Sequence, residues 1–304
     1  MSCTTIPSKI MAKKSTTEES KNFLSNRNRA FESFHRQSFP FRNSIIRYIS
    51  KNPASPKIYQ KLIKSCKYFF VENPVLLTTK LRYNFKWKAE FNGIRKEVKI
   101  DNLPCKLWIT SDIFVLAFSE KTVVSSIVSK IYRCDSESLT LQRQTISSDE
   151  LLILSSNVLA LCLVEVIVTN RNGSILVFEK LFNAHTKVMA FQFTFPSSTS
   201  TINAKTVKEL IKIPHFKNLN KFSFWKVPDI FDIEGFYAYT KKNKHTRFRL
   251  YFADTISEGY KKRLNTVIDE ILEAKDPNYR PFSIHFNGIN SEKEAQLRNM
   301  SVKI

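Results

Sequence analysis

The chain has 304 residues, 42% of them apolar, and its 48 Lys and Arg stand against 27 Asp and Glu for a net charge of +21. That length and apolar share suffice for one large domain or two ordinary ones, and the charge attracts an acidic partner without saying whether it is protein, nucleic acid or membrane. Only five glycines occur, with no G-x-G-x-x-G and no G-x-x-x-x-G-K-[ST], which leaves phosphate-wrapping glycine loops without their residues.

Residues 1–35 are rich in Ser, Thr, Lys and Asn and lack sustained periodicity; they read as a disordered basic arm. No apolar core of signal-peptide length stands between Met1 and Ser20. The basic charge is concentrated early: residues 1–100 hold 21 Lys and Arg against 6 Asp and Glu. From residue 36 to 74 two helices are expected. Pro40 opens a run in which Phe41, Ile45, Ile46 and Ile49 recur at helical spacing, and Asn52-Pro53 stops it. Ser55-Pro56 starts a second helix, with Ser as N-cap and Pro in the first helical position. Its apolar stripe is Ile58, Leu62, Ile63, Cys66 and Phe69 or Phe70, its basic face Lys57, Lys61, Lys64 and Lys67, and Pro74 ends it. A hairpin of this size is too small to stand alone. Residues 75–105 read as a β-rich connector, with one strand through Val75–Leu77 and Leu81–Tyr83 and another at Val98–Ile100. Phe85, Trp87 and Phe91 pack beneath them.

From Lys106 to the end of the chain a rhythm sets in. Short apolar strands begin near 106, 138, 160, 189, 221, 247 and 281, a mean spacing of about 29 residues, at the upper end of the range for leucine-rich repeats. Helix signals fill the gaps. Ser147 and Glu150 form a capping box before Leu151. Asn203 caps Val207, Leu210 and Ile211, and Tyr260, Leu264, Val267, Ile268, Ile271 and Leu272 make an amphipathic stripe. Strand alternating with helix predicts parallel strands in an α/β fold. An open doubly wound sheet gives the same alternation; the regular period and missing glycine motifs favour a leucine-rich-repeat-like solenoid over residues 106–304, with helices on one face. The longest apolar stretch, Leu151–Val168, is broken by Ser155, Ser156, Asn157 and Glu165, so no membrane span is expected. The five cysteines form no C-x-x-C pair and read as reduced thiols of an intracellular protein, cytoplasmic or nuclear.

Phe39-Pro-Phe-Arg-Asn-Ser-Ile-Ile-Arg-Tyr-Ile and Lys64-Ser-Cys-Lys-Tyr-Phe-Phe, with Lys106-Leu-Trp-Ile-Thr, Lys130-Ile-Tyr-Arg-Cys-Asp, Lys208-Glu-Leu-Ile-Lys-Ile-Pro-His-Phe and Lys241-Lys-Asn-Lys-His-Thr, resemble landmarks of an expanded nematode family of F-box-like proteins. The resemblance spans about residues 36–286. It implies an F-box-like module that recruits a Skp-type adaptor of a cullin–RING ubiquitin ligase, and divergent leucine-rich-type repeats that bind a target protein. The adaptor face so implied is Phe39, Pro40, Phe41, Ile45, Ile46 and Ile49, with Ile58, Leu62 and Cys66 continuing it or supporting it from beneath. The chain departs from the family pattern in opening on Phe-Pro where Leu-Pro is usual, and in carrying Tyr68 or Phe69 where a Trp is customary.

Little in the residues points to a reaction. His185, His215, His245 and His285 recur near strands, but no carboxylates or cysteines accompany them at metal-ligand spacing, so they read as turn residues of successive repeats. No G-x-S-x-G frames a serine. The expected protein is non-enzymatic and takes no cofactor or metal. Nucleic-acid binding is the rival: Arg82, Lys86, Lys88, Arg95, Lys96 and Lys99 interleave with Tyr83, Phe85, Trp87 and Phe91, a pattern suited to phosphate contacts and base stacking, though the same aromatics also suit a β core. A protein-interaction module without ligase association is the second alternative. The basic run Lys241–Arg247 is either an acidic-ligand site or a helix C-terminus, where cations suit the dipole.

Overall fold

A computed structural model of the chain describes residues 39–197, 201–274 and 279–302; the expected basic arm, 1–35, lies outside them. The chain divides into two compact units, one ending at Asn52 and one starting at Pro53. In the first, helix α1 is Asn43–Lys51. Asn52 ends it: its backbone N–H and its Nδ2 both donate to the carbonyl of Tyr48, at 2.9 and 3.0 Å. Ile46 and Ser50, one turn apart, are buried, and Ser50 Oγ donates to the Ile46 carbonyl at 2.7 Å.

The second unit begins with α2, Pro56–Ser65, whose N-cap is Ser55 as the sequence predicts; the Ser55 side chain accepts from the Ile58 N–H. The helix does not continue to Pro74. Cys66 adopts extended backbone, φ −154° and ψ 128°, and its sulfur accepts the Tyr68 N–H to open a separate helix α3, Lys67–Glu72. The expected stripe is also rotated. Tyr59 is buried, whereas Ile58 stays 45% exposed. The reason is chemical: Tyr59 fills the space against Val75 and Trp108 with its ring, and its hydroxyl donates to the Asn73 carbonyl at 2.7 Å and accepts the Val75 N–H at 3.1 Å. An isoleucine satisfies no backbone group.

The rest of the unit is mixed α/β, built on one eleven-stranded, mostly parallel sheet. In chain order its strands are β1 Val75–Asn84, β2 Lys86–Phe91, β3 Ile94–Glu97, β4 Lys106–Leu116, β5 Ile131–Cys134 and β6 Ser138–Gln142. After them come β8 Ala160–Val164, β10 Ala190–Thr194, β11 Lys221–Val227, β12 Arg247–Phe252 and β13 Ser283–His285. Two short strands, β7 Thr145–Ser147 and β9 Ile167–Thr169, pair in parallel as a second sheet. The large sheet runs β3-β2-β1-β4-β6-β8-β10-β11-β12-β13, with β5 also on β4. Each strand from β4 onward on this path thus lies beside its sequence neighbour, and each such pair is parallel. Every expected strand start from 106 to 281 falls within two residues of an observed one.

The 75–105 stretch is part of this sheet. β1 pairs in parallel with β4, and β2 and β3 extend the edge antiparallel. Val98–Ile100 is not a strand: after Val98 the chain turns into a 3-10 segment at Ile100–Asn102. Tyr83 and Trp87 are core residues, but Phe85 is 72% exposed at φ 60°.

Between the strands lie α4 Val123–Val128, α5 Ser148–Ser155, α6 Phe178–Asn183, α7 Thr206–Lys212, α8 Ile233–Thr240 and α9 Glu258–Glu273, and α10 Ser291–Val302 follows β13. Helices α6 to α10 each touch the next. The capping box before α5 forms in full, Ser147 Oγ accepting the Glu150 N–H and Glu150 accepting the Ser147 N–H. Asn203 does not cap α7, whose N-cap is Lys205 without a side-chain bond; instead the Asn203 N–H donates to Thr206 Oγ1. One face of every central strand joins these helices in a single core. There the phenylalanines stack densely: Phe178 meets Phe224 edge-on at 4.9 Å and Phe222 lies 4.5 Å from Phe224. Such pairs add about 0.5–1.5 kcal/mol beyond the area they bury.

Candidate functional site

On α1 and the residues just before it the apolar side chains divide. Phe41, Ile45 and Tyr48 are 57%, 45% and 69% exposed, while Ile46 is buried and Ile49 half-buried. Phe39 is half-buried and Pro40 exposed. Of the implied adaptor residues, Phe41, just before the helix, and Ile45 on it face water, and Ile46 does not. Tyr48, which sequence reasoning passed over because it lies outside the isoleucine stripe, is the most exposed large apolar residue of the helix. In the second unit Ile58 is exposed, and Leu62 and Cys66 are half-buried.

The packing of α2 explains why. Tyr59, Val75 and the fully buried Trp108 form their own small cluster, joined by Ile63, Leu77 and Tyr132. Trp108 donates its Nε1–H to Asp135 at 2.7 Å, and the Arg133 guanidinium lies 5.0 Å from its ring. Asp135 accepts from Arg133 at 2.8 Å. This node holds α2 against the start of β4 on the sheet face opposite the helical core.

Beyond the node that second face is open. Alternation puts the core residues Leu139, Leu161, Phe191 and Phe222 on one side of the sheet and their neighbours on the other. Registers align those neighbours in rows across the strands. One row is Asp112, Ser138, Ala160, Ala190, Lys221 and Arg247; the next is Phe114, Thr140, Cys162, Gln192, Ser223 and Arg249; a third is Leu116, Gln142, Val164, Thr194, Trp225, Tyr251 and His285. The middle of the face is uncharged and mostly of small residues, with Gln142 and Gln192 as the longer side chains. One side is bounded by Phe114, over which the Arg82 guanidinium sits at 5.9 Å while bonded to Asp112 at 3.2 Å. On the other side Trp225 and Tyr251 stack at 3.6 Å with their planes 4° apart. Lys221, Arg247 and Arg249 stand on the same side, and none of the three has a carboxylate partner among the described residues.

The third row ends on unusual backbone. Arg143, Glu165 and Lys226, just past the ends of β6 and β8 and at the irregularity in β11, all take φ between 52° and 56°. Glu165 bonds both cations, Arg143 at 2.9 Å and Lys226 across the strand between them. Those bonds, Lys226 first, hold its carboxyl below the ordinary range. The left-handed backbone costs about 1 kcal/mol or more per residue, and the shared carboxylate helps hold the three side chains in line.

Of the four histidines expected at turns, His185 and His245 lie in the links before β10 and β12, but His215 is part of a 3-10 helix, Pro214–Asn218, and His285 is the last residue of β13. His185, buried, has Nδ1 2.7 Å from the Leu181 carbonyl and Nε2 2.9 Å from Ser155 Oγ; His215 stacks on Phe182. Burial lowers the pKa of both. Ser155 donates to the Leu151 carbonyl at 2.7 Å, so its proton is committed to helix α5 and the pair sits in the core. Burial pushes the Cys134 and Cys162 thiols up to about 11, away from thiolate. Among the described residues no cluster of three His, Cys, Asp or Glu is placed to hold a metal ion, and no helix is long and apolar enough to cross a membrane. The basic run Lys241–Arg247 leads off the C-terminus of α8: Lys241 lies 4.0 Å from the Tyr237 ring and pairs with Glu270, and Asn243 Oδ1 accepts the N–H groups of His245 and Thr246. Comparison with protein-family models, curated proteins and solved structures finds no match to this chain.

Proposed function

We propose that the chain is a non-enzymatic substrate receptor. Its F-box-like segment takes up a Skp-type adaptor of a cullin–RING ubiquitin ligase, and its sheet, read as divergent leucine-rich-type repeats of a solenoid, holds a target protein. The observation that carries this reading is α1 and its lead-in: a short helix and the residues just before it, in a basic chain, leave Phe41, Ile45 and Tyr48 in water. Apolar residues gathered on one short exposed segment mark a contact surface. The sequence-ordered parallel strands support the repeat reading, and no catalytic arrangement is needed because the ligase supplies the chemistry. The charge of +21 suits an acidic adaptor and speeds its arrival.

The test is co-purification of the full chain with a Skp-type adaptor and cullin. Tyr48→Asp and Ile45→Asp should abolish capture and leave thermal unfolding unchanged within the ordinary range of surface substitutions, about 0.5 kcal/mol. Failure of the wild-type chain to capture any adaptor overturns the reading.

A further inference from the structure

The open sheet face has a shape and a charge pattern that select its occupant. Phe114 on β4 and Trp225 on β11 are four strand spacings apart, roughly 19 Å at about 4.8 Å each. Allowing for the walls' own side chains, the floor between them has room for one α-helix, whose diameter is about 10–12 Å. That floor is Ala160, Cys162, Val164 and Ala190 with the hydroxyls of Ser138, Thr140 and Thr194, and two longer amides, Gln142 and Gln192, stand among them. The small residues of β8 give a helix close approach, and the floor carries no charged side chain between its walls.

The charge is one-sided. On the β4 side Arg82 is taken by Asp112, and at the far end of the floor Arg143 and Lys226 are taken by Glu165. On the β11–β12 side Lys221, Arg247 and Arg249 are uncompensated among the described residues. Arg247 also presses on Arg280, whose pKa falls through burial and then through that charge. Beside them stand Trp225, 36% exposed, and Tyr251, residue types that dominate contact energies at protein interfaces together with Arg. A nucleic acid fits this face less well: its phosphates run its whole length, whereas the cations occupy one wall and two carboxylates, Asp112 and Glu165, border the rest. A second copy of this chain fits worse, because it brings its own +21.

We propose that the open face of the sheet binds an acidic amphipathic helix of a partner protein, its carboxylates against Lys221, Arg247 and Arg249 and its small apolar side on the floor, packed against Trp225. This deepens the receptor reading by naming the class of target, and it depends on that reading only in taking a protein segment as the occupant.

The test is selection of 15-residue peptides from a display library on the full chain. The expected winners carry Asp or Glu at three- and four-residue spacing. Arg249→Glu should weaken them at least tenfold, and so should Trp225→Ala, while Lys180→Glu on α6 should leave them within twofold. Selection repeated on the Arg249→Glu chain should turn toward Lys-bearing peptides, an outcome that unfolding does not produce; thermal unfolding of each variant runs alongside. No enrichment, enrichment without acidic bias, or winners indifferent to Arg249→Glu each overturn the proposal. So does tighter binding of a 15-residue uridine oligonucleotide that Trp225→Ala abolishes. Adaptor capture by the Arg249→Glu chain is measured in parallel: if wild type captures no adaptor while peptide selection succeeds, the ligase reading falls and the surface stands.

Discussion

His185 shows how a residue that tempts a catalytic reading serves the core instead. Its ring bridges the Leu181 carbonyl and Ser155 Oγ, and burial disfavours its protonated form. In the unfolded chain it takes up a proton near pH 6.5, so the unfolded state binds more protons as pH falls. Stability is therefore full above about pH 6.5 and declines as pH drops toward the lowered native pKa, with His215 acting in the same direction. Thermal midpoints measured from pH 8 to pH 5 should fall across that lower range, and His185→Gln should flatten the decline. Tyr59 tests the opposite kind of contact. Removing its hydroxyl as Tyr59→Phe strips the Val75 N–H and the Asn73 carbonyl of a buried partner, and should cost about 1–3 kcal/mol in denaturant unfolding. Tyr59 was absent from the expected stripe because spacing ranks apolar residues by position and does not see a hydroxyl satisfying the backbone of the next strand.

At the scale of elements, local signals worked where local chemistry is sufficient. The Ser147 capping box and the Ser55-Pro56 start are both present as expected, since each needs only residues three apart. Ser147→Ala should cost about 1 kcal/mol, read as a lowered unfolding midpoint with the fold intact. The break at Cys66 was not legible, because a lone cysteine is no breaker by propensity. It becomes one here through its sulfur, which accepts the Tyr68 N–H and starts α3. Phe85 failed for a related reason: it takes positive φ at the turn between β1 and β2, and that turn aims it at Phe118, on which it stacks at 5.6 Å in the open.

Across the whole molecule, the aromatics decide against one version of the nucleic-acid rival. Tyr83 and Trp87 are buried, so the basic–aromatic pattern of residues 82–99 has lost two of its four stacking platforms to the core. Binding of single-stranded RNA should then rest on charge alone. We expect it weak, insensitive to sequence and falling with salt at a log–log slope of about −0.7 per contacted phosphate. Fluorescence anisotropy with uridine and mixed oligonucleotides over a salt series checks this; sub-micromolar, sequence-selective binding would reverse the ranking. Disruption of the phenylalanine stack should be felt much more: Phe222→Ala should destabilise by about 3–5 kcal/mol, because Phe222 touches rings from β10, β11, β12 and α8 together with Phe182 and Phe216.

The amino-acid order alone determined the alternation of strand and helix, the seven strand starts from residue 106 onward and the positive charge, since periodicity, capping and composition act over a few residues or over the chain as a sum. Tertiary structure decided which side of each strand meets the helices. It also recruited 75–97 into the sheet and turned Tyr59 inward in place of Ile58. And it lined up Lys221, Arg247, Arg249, Trp225 and Tyr251 on one face. Those residues lie on two strands tens of residues apart in places, and only the pairing register, set by burial of the opposite face, makes them neighbours.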